Sequence, residues 1–184
     1  KDVLHYARTS NGTIFITNNG DMVYSIKKTD KGKDSVARHI RESLKENTLS
    51  GIQGDEPAMT KIHYLRGDTP DGWIKNISTY DIVHLRDLYK GIDVQVQLNG
   101  NNMEKVFFVH PGGDPSSIKI ALAGVKETKI NLHGELELET DAGLLHLTKP
   151  LAYQNVNGKK NVDVSYELTE NGYGFKVGAY DKEQ

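Results

Sequence analysis

The side chains that could do chemistry in this chain are carboxylates, histidines and a single tryptophan; there is no cysteine. The lack of cysteine excludes disulfides, thiolate nucleophiles, iron–sulfur clusters and cysteine-based zinc sites. Seven histidines stand singly, at His5, His39, His63, His84, His110, His133 and His146. No two have the i, i+2 spacing of a strand face or the i, i+4 spacing of a helix face, so the sequence offers no local metal-ligand cluster. Glycoside hydrolysis needs two carboxyl groups about 5–9 Å apart across a cleft. Asp68, Asp71, Asp87 and Asp93, in a turn-rich and aromatic-rich stretch, are the candidates for such a pair. No serine sits in a Gly-x-Ser-x-Gly elbow and no glycine loop is built to cradle phosphate. Asn76-Ile77-Ser78 fits an N-glycosylation acceptor.

The run Tyr64-Leu65-Arg66-Gly67-Asp68-Thr69-Pro70-Asp71-Gly72-Trp73 is the most individual part of the chain and holds its only Trp. Two readings compete. In one, Trp73, Tyr64 and Tyr80 form a platform for sugar C–H faces, while Asp68 and Asp71, with Asn76, fix hydroxyls. In the other, Trp73 plugs the core and Asp68 makes an Asx-type turn ahead of Pro70.

The elements that must position these residues are strands. Five Asn-Gly pairs (Asn11-Gly12, Asn19-Gly20, Asn99-Gly100, Asn157-Gly158 and Asn171-Gly172) punctuate apolar runs. Asn and Gly tolerate the positive φ angles of a tight hairpin turn, so each pair predicts a hairpin. Residues 13–17 and 22–26 flank one turn, with 3–7 as a third strand. Val94, Val96 and Leu98 alternate with glutamines up to Asn99, and the chain returns through Lys105, Phe107 and Val109. Glu135-Leu136-Glu137-Leu138-Glu139 predicts a strand with one wet and one dry face. From residue 80 onward about nine strands recur at 8–12-residue spacing, the rhythm of an all-β antiparallel sandwich or extended twisted sheet with little helix. Residues 35–49 read locally as a short amphipathic helix, with Val36, Ile40 and Leu44 at i, i+4, i+8 and Asp34 as N-cap. Residues 48–58, with Gly51, Gly54 and Pro57, read as a loop and as the one sub-boundary in an otherwise single domain, 1–184.

Charge narrows the partners. Lys+Arg 23 against Asp+Glu 25 leaves a net charge of −2, which gives no electrostatic footprint for nucleic acid or an anionic membrane. The longest apolar runs, such as 106–109 and 120–123, are four residues, too short for a transmembrane helix. With no initiating Met, basic n-region or apolar h-region, the chain reads as a mature fragment.

Several motifs, in order, resemble a known family. His63-Tyr64-Leu65-Arg66-Gly67-Asp68, Pro70, Trp73, Asn76-Ile77 and Thr79-Tyr80 come first. Val83 and Asp87-Leu88-Tyr89-Lys90-Gly91-Ile92-Asp93 follow, then Phe107-Phe108-Val109-His110-Pro111-Gly112-Gly113-Asp114-Pro115 with Ile118 and Gly124. Lys149-Pro150, Tyr153-Gln154, Gly158, Phe175, Val177-Gly178 and Tyr180-Asp181 close the set. Together they resemble the uncharacterised N-terminal domain that precedes SBBP-type β-propeller repeats in secreted and cell-surface bacterial proteins. Lys90, Lys105 and Ser78 depart from the family pattern, which has Pro, an aromatic residue and Pro at those positions.

The resemblance implies an extracellular, non-catalytic structural or interaction module with no cofactor and no metal. Its partners would be other domains of the same polypeptide or neighbouring surface subunits, met through edge strands. Carbohydrate is the alternative ligand and a carboxylate-dependent glycosidase the second alternative. The resemblance also implies that 35–49 is a strand, overriding local helical spacing. Gly67, Pro70, Gly91, Asp93, Pro111, Gly112, Gly113, Asp114, Pro115, Pro150 and Tyr153 are then structural, fold-defining residues. The family continues into a further apolar strand where this chain stops, which predicts an unpaired edge or gap beside residues 173–180.

Overall fold

A computed structural model describes residues 3–10, 12–28, 36–44, 46–155 and 158–183. Asn11, Asp34 and Asn157, and residues 35 and 45 of the segment 35–49, lie outside the described residues. The chain opens with β1 (Val3–Thr9), β2 (Gly12–Thr17), β3 (Met22–Lys28) and β4 (Val36–Leu44). A long hairpin of β5 (Gly51–Tyr64) and β6 (Ile74–Tyr89) follows, then β7 (Ile92–Asn99) and β8 (Asn102–Val109). The second half contains β9 (Lys119–Ala123), β10 (Val125–Ile130), β11 (Leu136–Thr140) and β12 (Gly143–Leu147). It ends with β13 (Ala152–Asn155), β14 (Lys159–Val162), β15 (Val164–Thr169) and β16 (Gly172–Val177). Two 3-10 turns, Pro70–Gly72 and Pro115–Ser117, are the helical elements among the described residues, so the fold is all-β.

Every strand pair is antiparallel. One sheet has seven strands in the order β1-β2-β3-β4-β9-β16-β15, and a second has four, β5-β6-β7-β8. Smaller sheets are β10-β11-β12 and β13-β14. The two larger sheets share one core. Met22, Leu44, Ile120 and Tyr173 come from the seven-stranded sheet, and Leu85, Ile92, Val94 and Val96 from the four-stranded one. Leu136 and Leu138 of β11 join the same core, while Glu139 of the glutamate ladder is exposed. The alternation read from this segment is thus its burial pattern.

Residues 36–44 form a strand, and the reason is the two-residue period hidden under the helical one. Ile40, Glu42 and Leu44 are buried while Arg41 and Ser43 are half-buried, and seven residues of β4 pair with β3. The loop expected over 48–58 ends at Ser50, because Gly51 already pairs with Arg86. Pro57 sits within β5 without breaking the sheet. β5 is an edge strand, where a missing N–H costs no ladder bond on the open side.

β16 narrows the expectation of an unpaired edge or gap beside residues 173–180, because its first three residues have neighbours on both sides. Residues 172–174 lie between β15 and β9, with Gly172 opposite Ala121 and Gly174 opposite Lys119. The strands approach so closely that a Cβ on Gly172 would lie 1.9 Å from the Ile120 carbonyl oxygen. Beyond Gly174, β9 has ended, and only β15 continues alongside as far as Val177.

Candidate functional site

The hairpin β5–β6 outgrows the body. Its base contributes Leu85 to the core and packs Ile52 and Val83 against it, but no residue from 55 to 81 belongs to that cluster. This distal part is a two-stranded arm with Met59, Tyr64, Leu65, Ile74 and Tyr80 exposed. It is steadied from the side by β1. The hydroxyls of Tyr6 and Tyr64 are hydrogen-bonded, and the His5 ring meets Tyr80 edge-on at 6.0 Å. Burial there pushes the His5 pKa below its ordinary value.

The tip of the arm holds the tryptophan. Gly67 adopts a positive φ of 79°, and Pro70 opens the 3-10 turn. Trp73 Nε1 donates to the Gly67 carbonyl at 3.1 Å, and the Lys75 ammonium lies 4.7 Å from the ring centroid. Trp73 is therefore not a core plug: the core cluster excludes it, and its ring is half-buried within the arm. The 3-10 turn begins after Thr69, whose side chain makes no cap bond.

The predicted aromatic trio is not one platform. Tyr64 pairs with Ile74 near the tip, whereas Tyr80 pairs with Pro57. At about 3.3 Å per residue, roughly 20 Å of strand separates Trp73 from Tyr80. Tyr80 instead lays its ring over Gly54, where an added Cβ would come within 2.4 Å of it. Trp73, Tyr64, Asp68 and Asp71 remain neighbours at the exposed tip.

The four carboxylates do not converge either. Asp68 and Asp71 are at the tip, while Asp87 and Asp93 are at the hairpin base, roughly 40 Å away along β6. Asp93 Oδ1 accepts the Asp87 N–H at 2.7 Å and Oδ2 meets His110 Nε2 at 3.0 Å. Partial burial would raise the Asp93 pKa, but these contacts, with the charge of Arg86, hold it below the ordinary carboxylate value. Ser50 Oγ donates to Asp87 Oδ2 at 3.0 Å.

Two sequence motifs about twenty residues apart interlock here. Gly91 has a φ of 71°, its carbonyl accepts the His110 N–H at 2.9 Å, and a Cβ on Gly113 would fall 2.6 Å from that oxygen. Gly112 turns at φ 82° after Pro111. Asp114 accepts both the N–H and the hydroxyl of Ser116, at 2.9 and 2.7 Å, which lowers its pKa, and Pro115 is buried. Pro150 is half-buried; Tyr153 is exposed with the Lys159 ammonium 4.1 Å from its ring centroid.

The most concentrated charge chemistry lies inside the body. Glu42 in β4 and Lys105 in β8 face each other across the two large sheets, with side chains only 3% and 13% exposed. Lys105 Nζ donates to both Glu42 oxygens, at 2.8 and 2.6 Å, and to the Tyr173 hydroxyl at 2.9 Å. Tyr173 donates to Glu42 Oε1 and Tyr24 to Oε2, each at 2.6 Å. Burial would raise the Glu42 pKa; the Lys105 charge and the three donors outweigh it and hold the carboxyl below its ordinary value. Burial, then the Glu42 charge, pushes Tyr24 and Tyr173 well above the ordinary phenol value.

This cluster escaped the sequence reading. Its signal was present: Glu42 stands between Ile40 and Leu44, and Lys105 between Met103 and Phe107, so each charge occupies an inward position of a period-2 strand. From the sequence, Lys105 is placed in a returning strand and marked as a departure from a family pattern, without a buried partner.

Among the described residues, no group of three His, Cys, Asp or Glu side chains is placed to hold a metal ion. No helix of the described residues is long and apolar enough to cross a membrane. A family profile settles the grouping, because it spans residues 1–184. The chain belongs to the family described as "Domain of unknown function (DUF7948)". No curated protein and no solved structure matches it. The DUF7948 grouping covers the arm, the interlocked turns and the buried cluster alike.

Proposed function

We propose that this DUF7948 domain is a non-catalytic structural and interaction module of an extracellular or cell-surface bacterial protein, placed ahead of SBBP-type β-propeller repeats. The observation that carries this reading is the arm. Residues 55–81 leave the core and carry Met59, Leu65 and Ile74, three large apolar side chains, exposed on a hairpin. Exposed apolar groups gathered on one element mark contact surfaces. The charged groups with the most contacts serve the architecture: Glu42 and Lys105 join sheets, and Asp93 and Asp114 fix turns. The motif order supports the placement ahead of propeller repeats and the cell-surface setting.

The test is a substrate screen of the purified chain against chromogenic glycosides and esters and fluorogenic peptides. The proposal expects no turnover; turnover abolished by Asp93→Asn or Asp71→Asn would overturn it. A second reading, carbohydrate binding, is favoured by Trp73, Tyr64, Asp68 and Asp71 sharing the exposed tip. Lys75 lies against the Trp73 ring, which leaves less of it for a sugar. Glycan-array binding lost in Trp73→Ala would support that reading over the first.

A further inference from the structure

The antiparallel ladder of β16 is finished on one side only. Gly178 N–H donates to the Asp163 carbonyl at 2.7 Å, on the β15 side. Backbone groups of an antiparallel strand alternate in direction. Gly174 and Lys176 therefore turn toward β15, and Tyr173, Phe175 and Val177 turn toward β9. Asn171 confirms the phase, because its carbonyl accepts the Leu122 N–H at 2.7 Å. Yet β9 pairs with β16 only as far as Lys119 opposite Gly174. Upstream of β9 the chain winds into the turn Pro115–Ser117, where the Ile118 N–H goes to the Pro115 carbonyl at 3.2 Å.

In the space that this departure leaves is a cavity of about 390 Å³, lined by Asp114, Pro115 and Ser116 on one side and by 177–180 and Lys182 on the other. The volume lies within the range of ligand-binding clefts. Gly178 and Ala179 are small and exposed, so another backbone can come close. Asp114, an ionised carboxylate bonded to Ser116, and the Lys182 ammonium both line the cavity, so its two charges offset and the wall carries no net charge.

We propose that this gap is a strand-addition site: an extended, neutral segment of another polypeptide chain continues the ladder that β9 abandons, bonding to the Phe175 carbonyl and to the N–H and carbonyl of Val177. Main-chain hydrogen bonds to an open sheet edge give such sites affinity that tolerates many sequences. Phe175–Val177 offers about 10 Å of edge, three residues long. The site shares no residue with the arm, so the two proposals stand or fall separately.

The experiment is amide hydrogen exchange by NMR on the ¹⁵N-labelled 184-residue chain, with and without a capped pentapeptide of alternating threonine and valine at millimolar concentration. Without peptide, the Val177 amide should exchange at least about tenfold faster than those of Lys176 and Gly178, which face β15. With peptide, Val177 should become protected and Lys176 and Gly178 should not change. Val177→Pro removes the donor that faces the gap and leaves the Gly178–Asp163 bond alone, so it should abolish the effect. Ala179→Phe, which fills the cavity, should do the same and decides the matter if the proline variant does not fold. A Val177 amide as protected as Gly178 in the free chain, no response to the peptide, or unchanged binding in the folded variants would each overturn the proposal.

Discussion

Lys105 and Lys75 make the same kind of contact in opposite settings. Each holds an ammonium against an aromatic ring, Lys105 at 5.6 Å from Tyr173 and Lys75 at 4.7 Å from Trp73. In the body, water is excluded, so Lys105 must also find a carboxylate, and Glu42 must find four donated hydrogen bonds. Removing one member there leaves an unpaired buried charge. At the arm tip, solvent already satisfies Lys75 and the contact is worth only about 0.5–1 kcal/mol. The difference shows where this chain invests its ionic chemistry: the core interaction fixes how two sheets face each other, and the arm interaction shapes a surface.

The largest expected effect tests the first half of that contrast. Lys105→Met should destabilise the chain by about 3–5 kcal/mol in denaturant unfolding, because Glu42 is left buried and unpaired. Combining it with Glu42→Leu should recover most of the loss, since an apolar pair of similar volume is often neutral or better. A double variant no better than the single would break the account. Next in size, Gly172→Ala should cost about 1–3 kcal/mol by driving a methyl group into the Ile120 carbonyl.

The pH dependence sharpens the same comparison. The folded-state pKa of Glu42 lies below its ordinary value of 4.5. Its contribution is therefore complete above that value and is lost as pH falls toward the folded-state pKa, where the unfolded chain binds the proton first. At the alkaline end the sign reverses. Tyr24 and Tyr173 lie well above their ordinary value of 10.0, and Tyr89 and Tyr166 are pushed up to about 12. Stability should hold below about pH 10 and fall above it, as phenols ionise first in the unfolded chain. Urea midpoints measured across pH would show both limbs, and Lys105→Met should remove the share of Glu42 from the acid limb while leaving that of Asp93 and Asp114. The smallest effect belongs to the arm: Trp73→Ala should change global stability by less than about 1 kcal/mol.

Much of the architecture was legible because hairpin turns and two-residue alternation are local. Glu135–Glu139 announced its buried leucines, and Asn99-Gly100 its hairpin. Residues 36–44 were ambiguous because Ile40 and Leu44 satisfy both a helical and a strand period, and only pairing with β3 and β9 decides between them. The span 51–58 was misread because Gly51, Gly54 and Pro57 are turn residues in most contexts. Here Gly54 accommodates the Tyr80 ring and Pro57 sits at an open edge. The arm's independence was not legible at all. A strand that leaves the core keeps its alternating pattern, so Trp73 in sequence looks equally like a plug or a platform. The Glu42–Lys105 pair joins residues sixty-three positions apart, a separation that no local pattern reports.

Native-state hydrogen exchange, resolved by residue, tests most directly whether a clasped body carries a separate arm. Amides of 55–64 and 74–81 should exchange through local openings of lower free energy than amides of β7, β9 and residues 172–174 of β16, which exchange only on global unfolding. In Lys105→Met the body values should fall and the arm values should stay where they are. Arm amides as slow as the body's, or falling in step with them in the variant, would contradict the account.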